Sequence, residues 1–363
     1  MTKANNDLRR VPLSVLDLAV VSAGGTSATA LADSTRLAQQ AERLGYTRFW
    51  VAEHHNMPSV ASTAPPVLIA HLAASTSSIR VGSGGVMLPN HPSLVVAEQF
   101  AMLEALHPGR IDLGIGRAPG TDPATASALR RTPGTLSAED FPRHLIDLMG
   151  LLGDPRTIDG LWKRFAATPV ATSAPAIVLL GSSGYSAQLA GQLGLPFAFA
   201  HHFDTGGTLQ ALDLYRQNFT PSAILAQPYA IVTANVLAAA SEEEAAWFAG
   251  PGRLMMFAVR SGRFTPLLSP EEAAAHPDLH LAMHTPTNWI TGAPDSVVEQ
   301  LEELVRASEA DEIMVVTFAH GLAERLRSLE LLAHAWHGTP ERVERSSPDY
   351  PAGLEHPAGA GET

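Results

Sequence analysis

Residues 79–120 read IRVGSGGVMLPNHPSLVVAEQFAMLEALHPGRIDLGIGRAPG. The stretch contains two apolar runs, IRVGSGGVML and RIDLGIG, each short enough to be a strand. Between them Val96, Phe100 and Leu103 recur at the spacing of one helix face. A strand, a helix and a second strand in this order are typical of a βα unit, whose strands are parallel. The stretch therefore predicts two neighbouring strands of a parallel sheet.

The same alternation extends along the chain in both directions. Predicted strands begin at residues 13, 47, 79, 110, 176, 196, 229 and 312. Residues 117–136 and 260–290 interrupt the alternation, and their composition favours long loops. We therefore expect one α/β domain over residues 1–337, a single (β/α)₈ TIM barrel with insertions after strands 4 and 7. We expect residues 338–363, rich in Pro, Gly and Glu, to form a disordered tail.

Composition and charge exclude several classes of protein. The net charge of −12 disfavours a binder of nucleic acids or anionic membranes, and no apolar run suggests a membrane helix or a signal peptide. We therefore expect a cytoplasmic protein without nucleic-acid or membrane partners. The absence of cysteine rules out disulfides, thiolate metal sites and cysteine nucleophiles. The only lysines, Lys3 and Lys163, do not follow the glycines that a Walker-type phosphate loop requires.

Unusual polar residues follow four of the predicted strands. In a (β/α)₈ barrel the functional residues lie at the C-terminal strand ends and in the loops after them. The second strand ends in Glu53-His54-His55, the fourth is followed by Arg117, the fifth by the turn GSSGYS at 181–186, and the sixth by His201-His202.

Each of these features has a functional and an ordinary interpretation. His54 and His55 are candidates for acid–base chemistry, or one satisfies backbone groups while the other faces solvent. Arg117 can bind a phosphate or pair with Asp122. The small residues at 181–186 can hold an anion at a helix N-terminus, or one serine is a plain N-cap.

Metal binding by histidines is the weaker interpretation. A zinc site built from the pairs at 54–55 and 201–202 is disfavoured, because adjacent strand residues point to opposite faces. His276, His280 and His284 share a helical spacing, but Pro277 intrudes and a solvated loop is favoured. We therefore expect no metal site.

Four segments resemble the bacterial-luciferase-like flavin-dependent monooxygenases, in the single-chain luciferase-like oxidoreductase group. They are LGYTRFWVAEHHNMP, the block from RVGSGG to GRAPG, GSSGYSAQLAGQLGLPFAFAHHF and TGAPDSVVEQL. The resemblance implies a barrel that binds reduced FMN at its mouth, with His54 and His55 as the catalytic pair. It further implies cofactor contacts from residues at three strand ends: Gly84 and Gly85, joined in relatives by a cis peptide bond, Arg117, and Ser182, Ser183, Gly184 and Tyr185 at the phosphate.

The resemblance predicts a monooxygenase. Reduced FMN from a separate flavin reductase would react with O₂, and the flavin hydroperoxide would oxygenate a small apolar substrate such as an aldehyde, ketone or hydrocarbon-like molecule. Family members are commonly homodimers, and we expect one here. Gly116 stands where the luciferase has a cysteine and Gly181 where it has an acid, so light emission is not predicted. Three alternatives remain open: hydride transfer with a deazaflavin, a metal-dependent hydrolase on the same barrel, and flavin binding without catalysis.

Overall fold

Eight parallel strands close into a barrel within the part of the chain that the computed structural model describes, residues 10–118, 120–129, 140–203 and 206–337. A ninth strand pairs with the end of the seventh. The strands are β1 Leu13–Asp17, β2 Arg48–Val51, β3 Arg80–Met87, β4 Ile111–Gly116, β5 Ala176–Gly181, β6 Phe197–Phe199, β7 Ala230–Ala238, β8 Ile290–Gly292 and β9 Glu312–Val316. The barrel runs from β1 through β7 to β9, which pairs with β1 and closes it. The predicted (β/α)₈ barrel is confirmed.

Helices surround the barrel and connect its strands. They are α1 Ser27–Leu44, α2 Pro65–Ala74, α3 Ser93–Leu106, α4 Pro123–Leu129, α5 Phe141–Leu151, α6 Gly184–Leu193, α7 Thr208–Gln217, α8 Glu242–Arg260, α9 Pro270–Ala274, α10 Leu279–His284, α11 Pro294–Ser308 and α12 Leu322–His337. Local sequence explains several of their ends. Gly45 ends α1 with a left-handed φ of 85°, and the Ser241 side chain caps the first turn of α8.

Both insertions contain more regular structure than their composition predicts. The prediction of a long loop at 117–136 is wrong where α4 forms; residues 119 and 130–136 lie outside the described residues, as does the predicted tail at 338–363. The second predicted loop, 260–290, contains α9, α10 and the first residue of β8. These elements are three to seven residues long, too short for periodicity to reveal.

The barrel interior has a charged floor. Arg48 is fully buried and bonds to Asp112 at 3.0 Å and to Glu312 at 2.9 Å, both also fully buried. Arg80 also bonds to Asp112, with a distance of 2.6 Å between Nη2 and Oδ1. Burial alone would raise the pKa of Asp112, but the two arginines outweigh it and lower that pKa. These charges fill the N-terminal end of the barrel.

The opposite, C-terminal end of the barrel is apolar. Side chains from alternate strand positions meet there in one cluster, which we call the mouth cluster: Leu16, Leu18, Val20, Trp50, Ala52, Val60, Val178, Ala198, Ile231, Met255, Leu267, Met314, Val316 and Phe318. The other strand faces pack against the helices in the larger core. Packed apolar side chains thus lie beneath the loops that carry the candidate site residues. Among the described residues, no helix is long and apolar enough to cross a membrane.

Candidate active site

The two candidate histidines point to different sides of the chain. Trp50 and Ala52 face the barrel interior, so alternation places His54 on the same side. Burial is the main cause that lowers the pKa of His202, and the nearness of His54 adds to it, which agrees with this placement. Burial lowers the pKa of His54 itself, so its ring is neutral at pH 7. His54 is therefore the histidine that faces the mouth, a question that the sequence left open.

His55 turns to a buried carboxylate instead. Its Nε2 lies 2.9 Å from Oε1 of Glu53, and Nε2 of His91 lies at the same distance from that oxygen. Asn90 donates to the same oxygen at 3.1 Å, and the amide of Met87 donates to the other oxygen at 3.0 Å. Burial would raise the pKa of Glu53, but the hydrogen bonds from His91, His55 and Met87 outweigh it and lower the pKa. Glu53 is thus an ionised carboxylate at neutral pH.

The histidine segment also holds the loop that follows β4. The carbonyl of Gly120 lies 3.4 Å from Nδ1 of His54 and accepts from the amide of His55 at 3.5 Å. Thr121 donates its hydroxyl to the carbonyl of His55 at 2.8 Å. This loop starts at Arg117, so the end of β2 helps to place the arginine.

Gly84 and Gly85 lie in the second half of β3, where neighbouring residues leave no room for a side chain. Their peptide bond is cis, as the resemblance implied. A Cβ added at Gly84 would lie 2.7 Å from Cδ1 of Leu16, and one at Gly85 would lie 2.1 Å from Cδ1 of Leu180 and 2.8 Å from the carbonyl oxygen of Gly114. The two glycines are therefore closely packed, and a larger residue at either position would require its neighbours to move.

Arg117 stacks on an aromatic ring rather than on an acid. Its guanidinium carbon lies 4.3 Å from the centre of the Tyr185 ring, in cation–π geometry. The alternative pairing with Asp122 is wrong, because that carboxylate accepts from Ala124 and Thr125 at the start of α4. Within the described ranges no carboxylate forms an ion pair with Arg117. Its charge is available to an anion.

The turn between β5 and α6 lies beside that arginine. Tyr185 belongs to the first turn of α6, so its contact brings Arg117 to the helix N-terminus. Ser183 occupies the N-cap position, but its side chain makes no capping bond, so the plain N-cap interpretation is wrong for this residue. Ser182 and Ser183 are exposed. The structure therefore brings together the three groups that the sequence proposed separately: an arginine, small hydroxyl residues and a helix N-terminus.

Two further polar residues lie buried on this side of the barrel, His202 after the end of β6 and Asn235 in the second half of β7. His202 is 6% exposed, and burial lowers its pKa to about 3 while its ring donates to the carbonyl of Thr233. Asn235 donates to the carbonyl of His202 at 3.1 Å. Nδ1 of His202 and Oδ1 of Asn235 have no hydrogen-bond partner among the described residues. Sequence reasoning missed Asn235, although its two-residue spacing from Ile231 and Thr233 identifies it as inward-facing.

Part of the second insertion crosses the mouth. Leu267 joins the mouth cluster, accepts from the amide of Ala23 at 2.7 Å and donates to the carbonyl of Val21 at 3.2 Å. Asn288 donates to the carbonyl of His201. Residues 261–289, which we call the strap, are therefore fastened to the loop after β1 and to the end of β6.

The structure does not gather the histidines into a metal-binding group. Nδ1 of His201 is 2.7 Å from the hydroxyl of Thr208, while His202 is directed to Thr233. The predicted solvated loop around His276 is wrong for His280 and His284, which lie in α10 with ring centres 4.2 Å apart. Across the described ranges, no group of three or more His, Cys, Asp or Glu side chains is placed to hold a metal ion.

Comparison with known proteins identifies relatives over nearly the whole chain. The family model of luciferase-like monooxygenases matches residues 11–311. A luciferase-like monooxygenase of Escherichia coli K12 is 41% identical over 89% of this chain and 96% of its own length. The N-acetyl-S-alkylcysteine monooxygenase of Bacillus subtilis is 34% identical over 90% of this chain and 98% of its own length.

Solved structures with the same fold also match nearly the whole chain. Apo-MsnO8 superposes with a TM-score of 0.82 at 39% identity and covers 91% of this chain and 99% of its own. Two more distant structures, below 25% identity, share the fold alone. One is the oxygenating constituent of 3,6-diketocamphane monooxygenase from Pseudomonas putida in complex with FMN, with a TM-score of 0.66 at 20% identity, covering 89% of this chain and 97% of its own. The other is an F420-dependent secondary alcohol dehydrogenase, with a TM-score of 0.65 at 13% identity, covering 90% of this chain and 99% of its own.

Proposed function

Because this chain belongs to the luciferase-like monooxygenase family, we propose that it is an FMN-dependent monooxygenase that oxygenates a small, apolar substrate with dioxygen. The observation that carries the proposal is the anion site formed by Arg117 at the N-terminus of α6. Arg117 has no acidic partner in the described ranges, and it is held by Tyr185 beside exposed serines. A cation, free hydroxyls and a helix N-terminus together are the chemistry that binds a phosphate.

The groups around the mouth fit a flavin ring attached to that phosphate. The backbone at Gly84 and Gly85 carries no side chain and so suits the close approach of a planar ring. The acceptors of His202 and Asn235, which have no hydrogen-bond partner among the described residues, suit a ligand with N–H or O–H donors. Reduced FMN, when bound, supplies the electrons that activate dioxygen. The role of the protein is then to bind the phosphate, to position the ring and to accept or donate protons.

The chain's own residues have separate tasks in this proposal. Arg117, Ser182, Ser183 and the amides of Gly184 and Tyr185 bind the phosphate. His54, neutral and facing the mouth, holds or transfers a proton near the reacting atoms, with His55 beside it. The mouth cluster binds the apolar substrate, and the strap excludes water that would compete in the reaction.

Titration with reduced FMN in the absence of oxygen, beside a deazaflavin cofactor, tests the proposal. We expect FMN to bind, and Arg117→Ala to weaken binding by about 10- to 100-fold, since a charge-assisted hydrogen bond is worth about 1.5–3 kcal/mol. Arg143→Ala is the control, because Arg143 is exposed on α5 and pairs with Asp140. Preference for the deazaflavin would favour hydride transfer as the reaction instead. The F420-dependent structural relative uses a cofactor of that deazaflavin class.

The substrate and the partner proteins are part of the same proposal. Aldehydes, ketones and N-acetyl-S-alkylcysteines, the last suggested by the name of the Bacillus relative, are the first compounds to test in air with FMN. We propose that a separate reductase supplies reduced FMN. If FMN binds but no compound is oxygenated with a reductase present, flavin binding without catalysis becomes the better description.

We also propose that the protein is a homodimer. Apolar side chains are exposed on the adjacent helices α2 and α3, at Val67, Val95, Met102 and Leu106. Apolar surface exposed on neighbouring elements is typical of an interface between protein subunits.

A further inference from the structure

We propose that Glu53 is a positioning residue that fixes the tautomer of His55, whereas the carbonyl of Gly120 fixes the opposite tautomer of His54, so that His54 offers its Nε2 lone pair and His55 its Nδ1 lone pair. The pair would then present two different basic atoms at the end of one strand. The tautomers follow from contacts of the protein alone. Only their use in a reaction rests on the proposed function.

The tautomer of His55 follows from the carboxylate beside it. Nε2 of His55 lies 2.9 Å from Oε1 of Glu53, which is fully buried and ionised at neutral pH. An ionised carboxylate only accepts hydrogen bonds, so the nitrogen that faces it carries the proton. In the neutral ring the lone pair is then on Nδ1.

The tautomer of His54 follows from a backbone carbonyl. Nδ1 of His54 lies 3.4 Å from the carbonyl oxygen of Gly120, which likewise only accepts. Burial lowers the pKa of His54, so the ring holds a single proton at neutral pH. That proton is on Nδ1, and the lone pair is on Nε2.

Glu53 is held rigidly enough to impose this arrangement. His91, on the loop after β3, donates to the same Oε1 at 2.9 Å, and Asn90 does so at 3.1 Å. The amide of Met87 holds the second oxygen at 3.0 Å. Three donors besides His55 fix the carboxylate in position, and His91 is fixed as the Nε2–H tautomer by the same contact. The sequence placed Glu53 beside the pair but gave no sign of His91.

This arrangement divides the chemical tasks of the pair. A ring nitrogen accepts a proton only through its lone pair, and a carboxylate behind the opposite nitrogen stabilises the ring while it carries that proton. His55 has such a carboxylate and His54 has a neutral carbonyl. His55 therefore offers a lone pair on Nδ1 in a ring that a carboxylate holds in place, whereas His54 is the neutral hydrogen-bond partner that faces the mouth.

Long-range ¹⁵N–¹H NMR spectra of the full-length, histidine-labelled protein test the tautomers directly. At pH 8 without cofactor we expect the proton of His54 on Nδ1 and the protons of His55 and His91 on Nε2. Single His→Gln variants assign the signals. A proton on Nδ1 of His55, or on Nε2 of His54, in the unaltered protein would overturn the proposal. Variants are needed only to assign the signals, and the tautomers themselves are read from the unaltered protein.

Two variants separate positioning from general support of the fold. In Glu53→Gln we expect the proton of His55 to be no longer confined to Nε2, because an amide can donate as well as accept. The tautomer of His54 should be unchanged. His91→Gln is the matched control, since it removes a neighbour of Glu53 but leaves the Glu53–His55 contact intact. Should Glu53→Gln leave His55 with its Nε2 proton, Glu53 does not set the tautomer.

Coupled oxygenation then tests the role in the reaction. Glu53→Gln should lower the rate by about 10²–10⁴-fold, the usual contribution of a positioned acid or base, while FMN binding is retained. Unchanged oxygenation with altered tautomers would limit the role of Glu53 to structure and refute its part in the reaction. Failure of the unaltered protein to bind FMN would instead refute the proposed function, with the tautomers still measurable.

Discussion

Replacing His202 with glutamine should make the protein less sensitive to acid. His202 is buried among β6, β7 and the loop after β2, and burial lowers its pKa from 6.5 to about 3. In the unfolded chain the same side chain titrates at its ordinary value. Between these two values the unfolded state binds a proton that the folded state does not, so folding stability falls as the pH drops below about 6.5.

The size of the effect follows from the two pKa values. Each unit by which the pH falls between these two pKa values lowers the free energy of unfolding by about 1.4 kcal/mol. A change from pH 7.5 to 4.5 crosses about two of these units, so His202 alone should cost the unaltered protein about 2.7 kcal/mol. Because natural domains are stable by about 5–15 kcal/mol, this is a large fraction.

Urea unfolding of the two proteins at both pH values measures the effect. Glutamine is neutral throughout this range and can still donate to the carbonyl of Thr233, so the variant should lose about 2.7 kcal/mol less than the unaltered protein between pH 7.5 and 4.5. Other titrating groups are common to both proteins, and their contributions cancel in the difference. His71→Gln, on the exposed face of α2, is the control and should follow the unaltered protein.

An equal loss of stability in His202→Gln and the unaltered protein would refute the reasoning. It would mean that the folded protein takes up the proton at little cost, and that His202 is not held in a dry environment. Its proposed contact with a donor of the bound cofactor would then lose its support as well.

Three further predictions concern other parts of the molecule. Arg48→Met removes the guanidinium that pairs with the fully buried Glu312 and leaves Asp112 with Arg80 alone, so urea unfolding should show a loss of about 3–5 kcal/mol. A loss below about 1 kcal/mol would contradict a dry barrel floor. Gly85→Ala places a Cβ 2.1 Å from Cδ1 of Leu180, so it should lower the free energy of unfolding by about 1–3 kcal/mol and abolish FMN binding. Normal FMN binding in isothermal titration would argue against close approach of the cofactor to this backbone. Leu106→Glu, at a position 63% exposed, should convert the proposed dimer to monomers in light scattering, and an unchanged mass would exclude this face as the interface.

The repeating βα pattern was enough to predict the barrel, because buried parallel strands need near-continuous apolar runs that stand out from helical periodicity. The candidate residues at strand ends were also within reach of the sequence, since the C-terminal ends of parallel barrel strands share one edge. Short elements such as α4, α9 and β8 were missed. A helix of fewer than two turns or a strand of three residues is too short to show a hydrophobic period.

Contacts between distant segments could not be predicted. The sequence offered Asp122 as a partner for Arg117 because the two are close along the chain, yet the ring of Tyr185 lies beside the arginine in space. His91 reaches Glu53 from the next loop, and nothing in its local sequence indicates this contact. Such pairings depend on how loops pack, which local propensity does not encode.

The sequence by itself determined the architecture, the absence of thiol chemistry and most of the polar residues that follow the barrel strands, because these depend on residue types and periodicity. The tertiary structure decided which histidine faces the mouth, which carboxylate supports the other, and that Arg117 stacks on Tyr185 and forms no ion pair with a carboxylate of the described residues. Hydrogen-bond partners and burial are properties of neighbours in space. They set protonation and tautomer, and those decide which atoms of this site can take part in chemistry.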